Sequence, residues 1–243
     1  MSAAIDDQAA GLRRLVRPTQ TRCWGLLGAS GAGLTLVGSA IAEAWRQRGH
    51  SVLLLDGRKP ARLAQPGIPA PTTQGSDWAT HLPPADIVIG LLQPEQRPGP
   101  CLAFDEFIVL ASPAPQHLTS AYRQLKALSA LVGRADCQIL VNLCSDDRAA
   151  NLMDNLRHTA RQFLGCAPAA LGAIPTDPTV ASVHTGAEGG PGADLLRRFP
   201  RAPAARRLRE LVERLDQAAA RGSHWADWLK RLNHAAVTPG ASQ

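Results

Sequence analysis

Continuous apolar runs alternate along the chain with segments of helical periodicity. The runs typical of buried strands are CWGLLG (23–28), SVLLLD (51–56), ADIVIGLL (85–92), EFIVLAS (106–112), CQILVN (137–142) and AALGAIP (169–175). Helical patterns lie between them, across LVGSAIAEAWRQRG (36–49), from Leu118 to about Leu131 and from about Asp146 to Phe163. Apolar strands separated by helices predict an α/β fold, a doubly wound, mostly parallel sheet with helices on both faces.

Three stretches depart from this alternation. Residues 57–84 are rich in proline and predict a loop with room for only a short helix, and the glycine-rich stretch from about Gly186 to Gly192 is expected to be flexible. APAARRLRELVERLDQAAARG (202–222) predicts an amphipathic helix whose apolar face contains Leu208, Leu211, Val212 and Leu215. We expect a division into an N-terminal segment (1–20), an α/β domain (21–220) and a C-terminal amphipathic helix with a tail (221–243).

Composition excludes several classes of protein. No apolar run approaches the roughly 20 residues of a membrane-spanning helix, and the N-terminus lacks the apolar core of a secretory signal. The 5 cysteines form no C-x-x-C motif, which predicts free thiols in a reducing compartment, and the 7 histidines lack metal-ligand spacing. The net charge of +6 is mostly arginine, and with 1 tyrosine and 4 phenylalanines the chain offers little base stacking, so we do not expect nucleic acid as a partner.

The segment GASGAGLTL (28–36) follows the first predicted strand and begins a helix. Its glycines have the spacing of the phosphate-binding loop G-x-x-x-x-G-K-[ST], in which backbone N–H groups and the helix N-terminus bind an anion. Thr35 occupies the position whose hydroxyl binds Mg²⁺, but Leu34 replaces the lysine. Glycine-rich turns after a first strand are also used by dinucleotide-binding folds.

Three further segments, ASPAPQHLTSAYRQLKAL (111–128), LVN (140–142) and LGAIPTDPTV (171–180), resemble in order and spacing the MinD/ParA family of deviant P-loop ATPases. The segment RQFLG (161–165) and the stretch from Leu195 to Leu211 are similar to its flagellar branch, the FlhG (FleN, YlxH) type. This resemblance covers most of residues 21–215, apart from the shortened stretch 57–84.

DQAAGLRRL (7–15) is similar to the D-Q-A-x-x-L-R motif that FlhG-type proteins carry before their ATPase domain. The matching residues are Asp7, Gln8, Ala9, Leu12 and Arg13. The resemblance implies that this segment binds the signal-recognition-type GTPase FlhF and stimulates its GTP hydrolysis. A short N-terminal helix without such a role is the alternative.

The resemblance also implies a nucleotide site for ATP or ADP with Mg²⁺. The positions that match are Gly28, Gly31, Gly33 and Thr35 in the loop, Asp56 after the second strand, and Asn142, Pro175 and Asp177 in the adenine cradle. The two lysines of the family loop are Ala29 and Leu34 here, Gly90 stands for a metal-supporting aspartate, and Leu143 replaces a common arginine. Each lost charged contact costs about 1.5–3 kcal/mol, so we expect ATP hydrolysis to be weak or absent, with residual nucleotide binding left open.

Near the C-terminus, HWADWLKRLNHA (224–235) predicts an amphipathic helix. Its apolar face holds Trp225, Trp228, Leu229 and Leu232, with Lys230 and Arg231 beside it. Tryptophans with flanking cations suit a bilayer interface, and the resemblance implies such a helix, but packing against the domain is an equal alternative. The expected location is cytoplasmic, with peripheral attachment at the inner face of the membrane, at the cell pole, as one possibility.

The function implied is that of an FlhG-like regulator of flagellar number or placement that acts through protein contacts. Its partners would be an FlhF-type GTPase and, beyond it, flagellar switch proteins or a flagellar transcription regulator. One alternative is an active ParA/MinD-type ATPase in which Arg58 and Lys59 replace the missing lysines. A remote one is a short-chain dehydrogenase with Asp56 on the ribose and Tyr122 and Lys126 as a Y-x-x-x-K pair.

Overall fold

The computed structural model describes residues 20–58, 62–63, 82–133, 136–217 and 222–237. The strands are β1 (Thr21–Gly28), β2 (Val52–Asp56), β3 (Arg62–Leu63), β4 (Ile87–Leu92), β5 (Glu106–Ala111), β6 (Asp136–Asn142), β7 (Ala169–Ile174) and β8 (Gly222–Ser223). The helices are α1 (Leu34–Gln47), α2 (Pro115–Val132), α3 (Asp146–Leu164), α4 (Pro191–Arg198), α5 (Pro203–Gln217) and α6 (Trp225–Val237), with 3₁₀ turns at Gly99–Ala103 and Pro178–Ser182.

The described strands form one sheet in the order β3-β2-β4-β1-β5-β6-β7, and β8 pairs with the start of β1. Strands β2, β4, β1, β5, β6 and β7 run parallel, whereas β3 and β8 are antiparallel to their partners. The chain leaves β1 toward β2 on one side and leaves β5 toward β6 on the other. This reversal places the loops after β1 and β5 together at the carboxyl edge, where open α/β sheets bind ligands.

Helices cover both faces of the sheet because successive strand residues alternate between them. One apolar cluster joins Leu26 and Leu54 to α1, α4 and α5. The other joins Leu27 and Leu55 to α2, α3 and α6. Strands buried on both sides explain the continuous apolar runs in the sequence.

The glycine-rich stretch from about Gly186 to Gly192, expected to be flexible, ends inside α4, which begins at Pro191. Gly192 lies so close to α1 that a Cβ atom there would lie 2.1 Å from the Leu36 carbonyl oxygen and 2.2 Å from the Ala40 nitrogen. The Gly192 N–H donates to Ser39 Oγ at 2.8 Å. The glycine is therefore required by close helix packing, and α4, which the sequence pattern did not predict, is held against α1.

At the amino edge of the sheet, Asp216 of α5 joins three elements. Its carboxylate accepts hydrogen bonds from Arg22 of β1 at 3.0 Å and from Arg48, just after α1, at 3.1 and 3.0 Å. These contacts fix the end of α5 to the start of β1. The 5 cysteines are buried thiols that form no disulfide with one another, as predicted.

Candidate functional site

The glycine loop between β1 and α1 is a tight turn that contains two glycines of positive φ. Gly31 and Gly33 have φ values of 84° and 89°, which favour glycine, and Gly33 immediately precedes the first residue of α1. The N-terminus of α1 therefore opens at the carboxyl edge of the sheet, next to the loop after β5. Gly28, at the end of β1, packs against Leu110 and Leu34.

Asn142, at the end of β6, is buried and supports this loop. Its Nδ2 atom donates to the Ala32 carbonyl at 2.9 Å. A Cβ atom on Gly33 would lie 2.4 Å from the same Nδ2 atom, so the glycine and the asparagine fit each other closely. The resemblance assigns Asn142 to the adenine cradle. In this structure its side chain binds the backbone of the glycine loop.

Leu34 is only 3% exposed and belongs to the apolar cluster beneath α1, α4 and α5. The side chain at the position of the missing lysine is thus part of the core. Thr35 is exposed, and Ala29, at the other lysine position, is half-buried. None of these three side chains carries a positive charge.

Arg58 lies between Thr35, which matches the position of the Mg²⁺-binding hydroxyl, and Asp56, which matches the family's acidic residue after the second strand. Its Nε and Nη2 atoms donate to the Asp56 carboxylate at 2.8 and 2.9 Å, and Nη2 also donates to Thr35 Oγ1 at 3.0 Å. The Thr35 hydroxyl and the Asp56 carboxylate are therefore both engaged by a guanidinium. A divalent cation does not fit between them while that side chain is in place.

Gly90, which by the resemblance stands in place of a metal-supporting aspartate, lies in β4 beside the end of β2. In the pairing of β2 with β4, Gly90 is level with Leu55, and Leu91 is level with Asp56. Residues in register on parallel strands point to the same face, so the side chain beside Asp56 is the buried Leu91. Gly90 faces the other side, where Phe104 Cζ would lie 2.3 Å from a Cβ atom.

The loop after β7 uses Asp177 to hold two helical segments. One carboxylate oxygen accepts from the Thr179 N–H at 2.9 Å and the Thr179 hydroxyl at 2.6 Å, and the other accepts from the Ala204 N–H at 3.0 Å in the first turn of α5. Burial by itself raises the pKa of Asp177, but these hydrogen bonds outweigh it and lower the pKa below its usual value. Pro175 is half-buried at the end of β7.

His117, which follows β5 and pairs with Ser112, reaches the glycine loop and was not identified as a site residue from the sequence. Ser112 Oγ lies 2.6 Å from His117 Nδ1, and His117 Nε2 would lie 3.3 Å from a Cβ atom on Gly31. His117 is in the first turn of α2, beside the point where the strand order reverses. Its place just after a strand of the parallel sheet is the signal that could have found it.

A polar cavity of ≈ 160 Å³ lies on the α2 side of the glycine loop. Gln124 is 3% exposed and donates to Ser120 Oγ at 3.4 Å, and its Oε1 atom has no hydrogen-bond partner among the described residues. The lining residues are Ala29, Ser30, Gln93, Glu95, Gln96, Ser120 and Gln124. The cavity therefore adjoins the lysine position taken by Ala29 and carries one carboxylate and no cation.

The C-terminal helix α6 packs against the domain. Trp228 is 0% exposed and, with the buried Leu232, belongs to the apolar cluster beneath α2, α3 and α6. Arg231 forms an ion pair with Asp105, while Trp225 and Leu229 are partly buried against the same cluster and Lys230 is exposed. Of the two alternatives for this helix, the structure shows the packed one.

The dehydrogenase alternative is contradicted by the topology. In the Rossmann order 3-2-1-4-5-6 the first strand lies beside the second, whereas β1 here lies between β4 and β5. Tyr122 packs partly buried against the core and Lys126 is exposed, both within α2.

Two kinds of site are absent from the described part of the chain, and some residues singled out from the sequence lie outside it. Among the described residues, no three His, Cys, Asp or Glu side chains are close enough to hold a metal ion. None of the helices described is both long and apolar enough to cross a bilayer. Asp7, Gln8, Ala9, Leu12 and Arg13 lie outside the described residues, as does Lys59.

Solved structures share this fold at low sequence identity. MinD cell division protein from Aquifex aeolicus is 14% identical with a TM-score of 0.58, covering 84% of this chain and 100% of that one. The MinC:MinD cell division protein complex from the same organism contains a chain that is 15% identical with a TM-score of 0.55. The match covers 83% of this chain and 98% of that one. A ParA family ATPase from Chlorobium tepidum TLS is 15% identical with a TM-score of 0.53. The match covers 81% of this chain and 99% of that one.

These similarities confirm the predicted fold class, an α/β sheet with the architecture of MinD and ParA P-loop proteins. No protein-family model matches the sequence, and the comparison with curated proteins gives no significant match.

Proposed function

We propose that this protein is an FlhG-like regulator of flagellar number or placement and of flagellar biosynthesis, acting through protein contacts. Residues 7–13 would bind an FlhF-type GTPase and stimulate its GTP hydrolysis. The match of Asp7, Gln8, Ala9, Leu12 and Arg13 to the activating motif supports this role. The MinD-like fold of the following domain is also consistent with it, and one solved MinD neighbour is in complex with a protein partner, MinC.

The observation that carries the proposal is how the polar groups of the candidate nucleotide site are used. Asn142 and Asp177 bind backbone groups of this chain, and Asp56 binds Arg58. With Leu34 in the core, the loop offers no lysine to a phosphate. Phosphoryl transfer depends on positioning and charge neutralisation, so the α/β domain is proposed to be a scaffold with a degenerate ATP site and weak or absent hydrolysis.

The partner-binding segment and the glycine loop are attached to opposite ends of β1. The segment leads into β1 at Thr21, and the loop follows Gly28. The two ends of this eight-residue strand lie about 23 Å apart. We propose that GTPase stimulation depends on the motif at residues 7–13 and not on the glycine loop, which is a separate segment of the sequence.

The experiment that tests the proposal measures GTP hydrolysis by an FlhF-type GTPase with and without this protein. Gln8→Ala and Arg13→Ala should each abolish stimulation and leave the circular dichroism spectrum unchanged, since both residues precede the α/β domain. Arg14→Ala is the matched control, because it removes the neighbouring charge but keeps the motif. Stimulation that survives Gln8→Ala and Arg13→Ala would contradict the proposed role.

Further partners and the location are part of the same proposal. Flagellar switch proteins and a flagellar transcription regulator are the proposed additional partners, in the cytoplasm or at the inner face of the membrane near the cell pole. Membrane contact through α6 would have to use its exposed residues, such as Lys230, unless the helix left the domain, because Trp228 is in the core.

An active ParA/MinD-type ATPase is the second candidate, since Arg58 reaches Thr35 and could bring a positive charge to the loop. Arg58 would first have to leave the Asp56 carboxylate. Steady-state phosphate release above background that Thr35→Ala abolishes would support this candidate over a scaffold.

A further inference from the structure

The Arg58 side chain forms hydrogen bonds to both Thr35 and Asp56 and thereby links two elements. Thr35 lies in the first turn of α1, and Asp56 is the last residue of β2. The guanidinium binds both oxygens of the carboxylate and, with the same Nη2 atom, the hydroxyl. One fork-shaped cation thus joins the helix that follows the glycine loop to the neighbouring part of the sheet.

Local backbone contacts hold this arginine in place. The Gly57 N–H donates to the Leu91 carbonyl at 2.9 Å, and the Arg58 N–H donates to Asp56 Oδ1 at 3.2 Å. The short turn from Asp56 to Arg58 is therefore fixed against β4. Only 21% of the Arg58 side chain and 13% of the Asp56 side chain are exposed, so the ion pair is largely shielded from water.

The side chains at this position offer the kind of oxygen ligands that a small divalent cation binds. A hydroxyl and a carboxylate facing one another are oxygen ligands of the kind Mg²⁺ prefers, and Mg²⁺ usually binds through one or two carboxylates and several waters. A guanidinium in the same space supplies the positive charge and takes up both groups. It also leaves no room for the octahedral water shell that Mg²⁺ retains.

We propose that Arg58 replaces the divalent cation: it is a built-in cation that ties α1 to β2, and the site does not take Mg²⁺. Because Arg58 belongs to the chain itself, its link between α1 and β2 forms without nucleotide or metal. This inference concerns the metal requirement of the loop and goes beyond the proposed function, because it does not depend on the GTPase partner.

The test is a titration of Mn²⁺, a paramagnetic substitute for Mg²⁺, followed by the loss of the free-ion signal in electron paramagnetic resonance. The natural protein should leave this signal equal to that of the buffer up to millimolar Mn²⁺. Arg58→Ala should bind one Mn²⁺ at least about tenfold more tightly, because it frees the Thr35 and Asp56 oxygens. Adding Asp56→Asn to that variant should abolish the binding.

Two further variants distinguish the effect of the positive charge from the effects of side-chain shape and of misfolding. Arg58→Lys keeps a positive charge and should exclude Mn²⁺ as the natural protein does. Arg58→Gln removes the charge at similar length and carries the test if Arg58→Ala does not fold, as judged by circular dichroism. Thermal unfolding provides a second readout: millimolar Mn²⁺ should raise the unfolding temperature of the neutral variants and leave that of the natural protein unchanged.

Two results would overturn the inference. The first is Mn²⁺ binding by the natural protein that Asp56→Asn abolishes, which would mean that Arg58 gives way to a metal. The second is a folded neutral variant that binds no more Mn²⁺ than the natural protein, which would mean that Thr35 and Asp56 do not form a cation position. Both results leave GTPase stimulation untouched, so they are distinct from a failure of the proposed function.

Discussion

The glycine loop and the loops after β6 and β7 lie at the same edge of the sheet but differ in what they share with the family that they resemble. The glycine loop has the expected backbone, with positive φ at Gly31 and Gly33, but Leu34 replaces its lysine and is buried. The other two loops have the expected residues, Asn142 and Asp177, but bind backbone groups of this chain with them. A preserved residue therefore does not by itself indicate a preserved ligand.

Both regions are held by hydrogen bonds and close packing within the protein. If the residues of both regions serve to stabilise the fold, each substitution should lower the free energy of unfolding. The decrease should be larger where the substitution removes more hydrogen bonds or closer packing. If instead these residues are kept for a nucleotide, their loss should affect nucleotide binding and leave the free energy of unfolding almost unchanged.

The largest effect is expected at Asp177. Asp177→Ala removes the acceptor of three hydrogen bonds and leaves the Ala204 N–H at the start of α5 without its partner, which should cost about 3 kcal/mol of unfolding free energy. Chemical denaturation measures this change. Asp154→Ala is the control, because Asp154 is exposed and its pair with Arg157 contributes about 0.5 kcal/mol or less. Equal effects of the two substitutions would contradict a structural role for Asp177.

Acid should weaken the same contact. The pKa of Asp177 is lowered in the folded protein, so its contribution to stability is fully present above the ordinary value of 3.8 and is lost as the pH falls through the lowered pKa. Denaturation at a series of pH values below about 4 should therefore show a smaller decrease for Asp177→Asn than for the natural protein. Parallel curves would show that this carboxylate does not titrate with folding.

Gly33 should be the next most sensitive position. Gly33→Ala forces a side chain onto a residue with φ of 89° and places its Cβ atom 2.4 Å from Asn142 Nδ2, which should cost about 2 kcal/mol. Gly165→Ala is the matched control, because φ is 64° there and nothing lies within 4 Å of the added Cβ atom. The difference between the two variants measures the contact with Asn142, and no difference would mean that the loop moves away freely.

Asn142→Ala should have a smaller effect of about 1 kcal/mol, since it leaves the Ala32 carbonyl without its hydrogen bond. In this background Gly33→Ala should become less costly, because the atom it would meet is gone. A double-mutant cycle measures this coupling through the unfolding free energies of the two single variants and the double variant. Strictly additive effects would show that the two residues do not support each other.

Much of the fold could be predicted from the sequence because it is determined by apolar periodicity. The runs that predict strands correspond to β1, β2, β4, β5, β6 and β7, and the predicted helices correspond to α1, α2, α3, α5 and α6. Helix α4 was missed because it is short and follows Gly189 and Gly190, whose composition is typical of a loop. Its position depends on the absence of a side chain at Gly192, which only packing against α1 explains.

The candidate site could be predicted in position but not in its internal contacts. The glycine spacing and the ends of the strands place Thr35, Asp56 and Asn142 at one edge of the sheet. Sequence cannot give the direction of a side chain, so the bridge made by Arg58 was not foreseen as a contact with Asp56. The register of β4 also requires pairing partners, so the sequence could not show that Leu91 is the residue level with Asp56.

The most direct test of the account is an equilibrium titration of the natural protein with a fluorescent ATP analogue and Mg²⁺, beside the Leu34→Lys variant. Losing two charged phosphate contacts weakens binding by about a hundredfold or more. The account therefore predicts no saturation of the natural protein below millimolar concentrations, and tighter binding by Leu34→Lys if the loop backbone still fits a phosphate. Micromolar binding by the natural protein that Thr35→Ala weakens would contradict it.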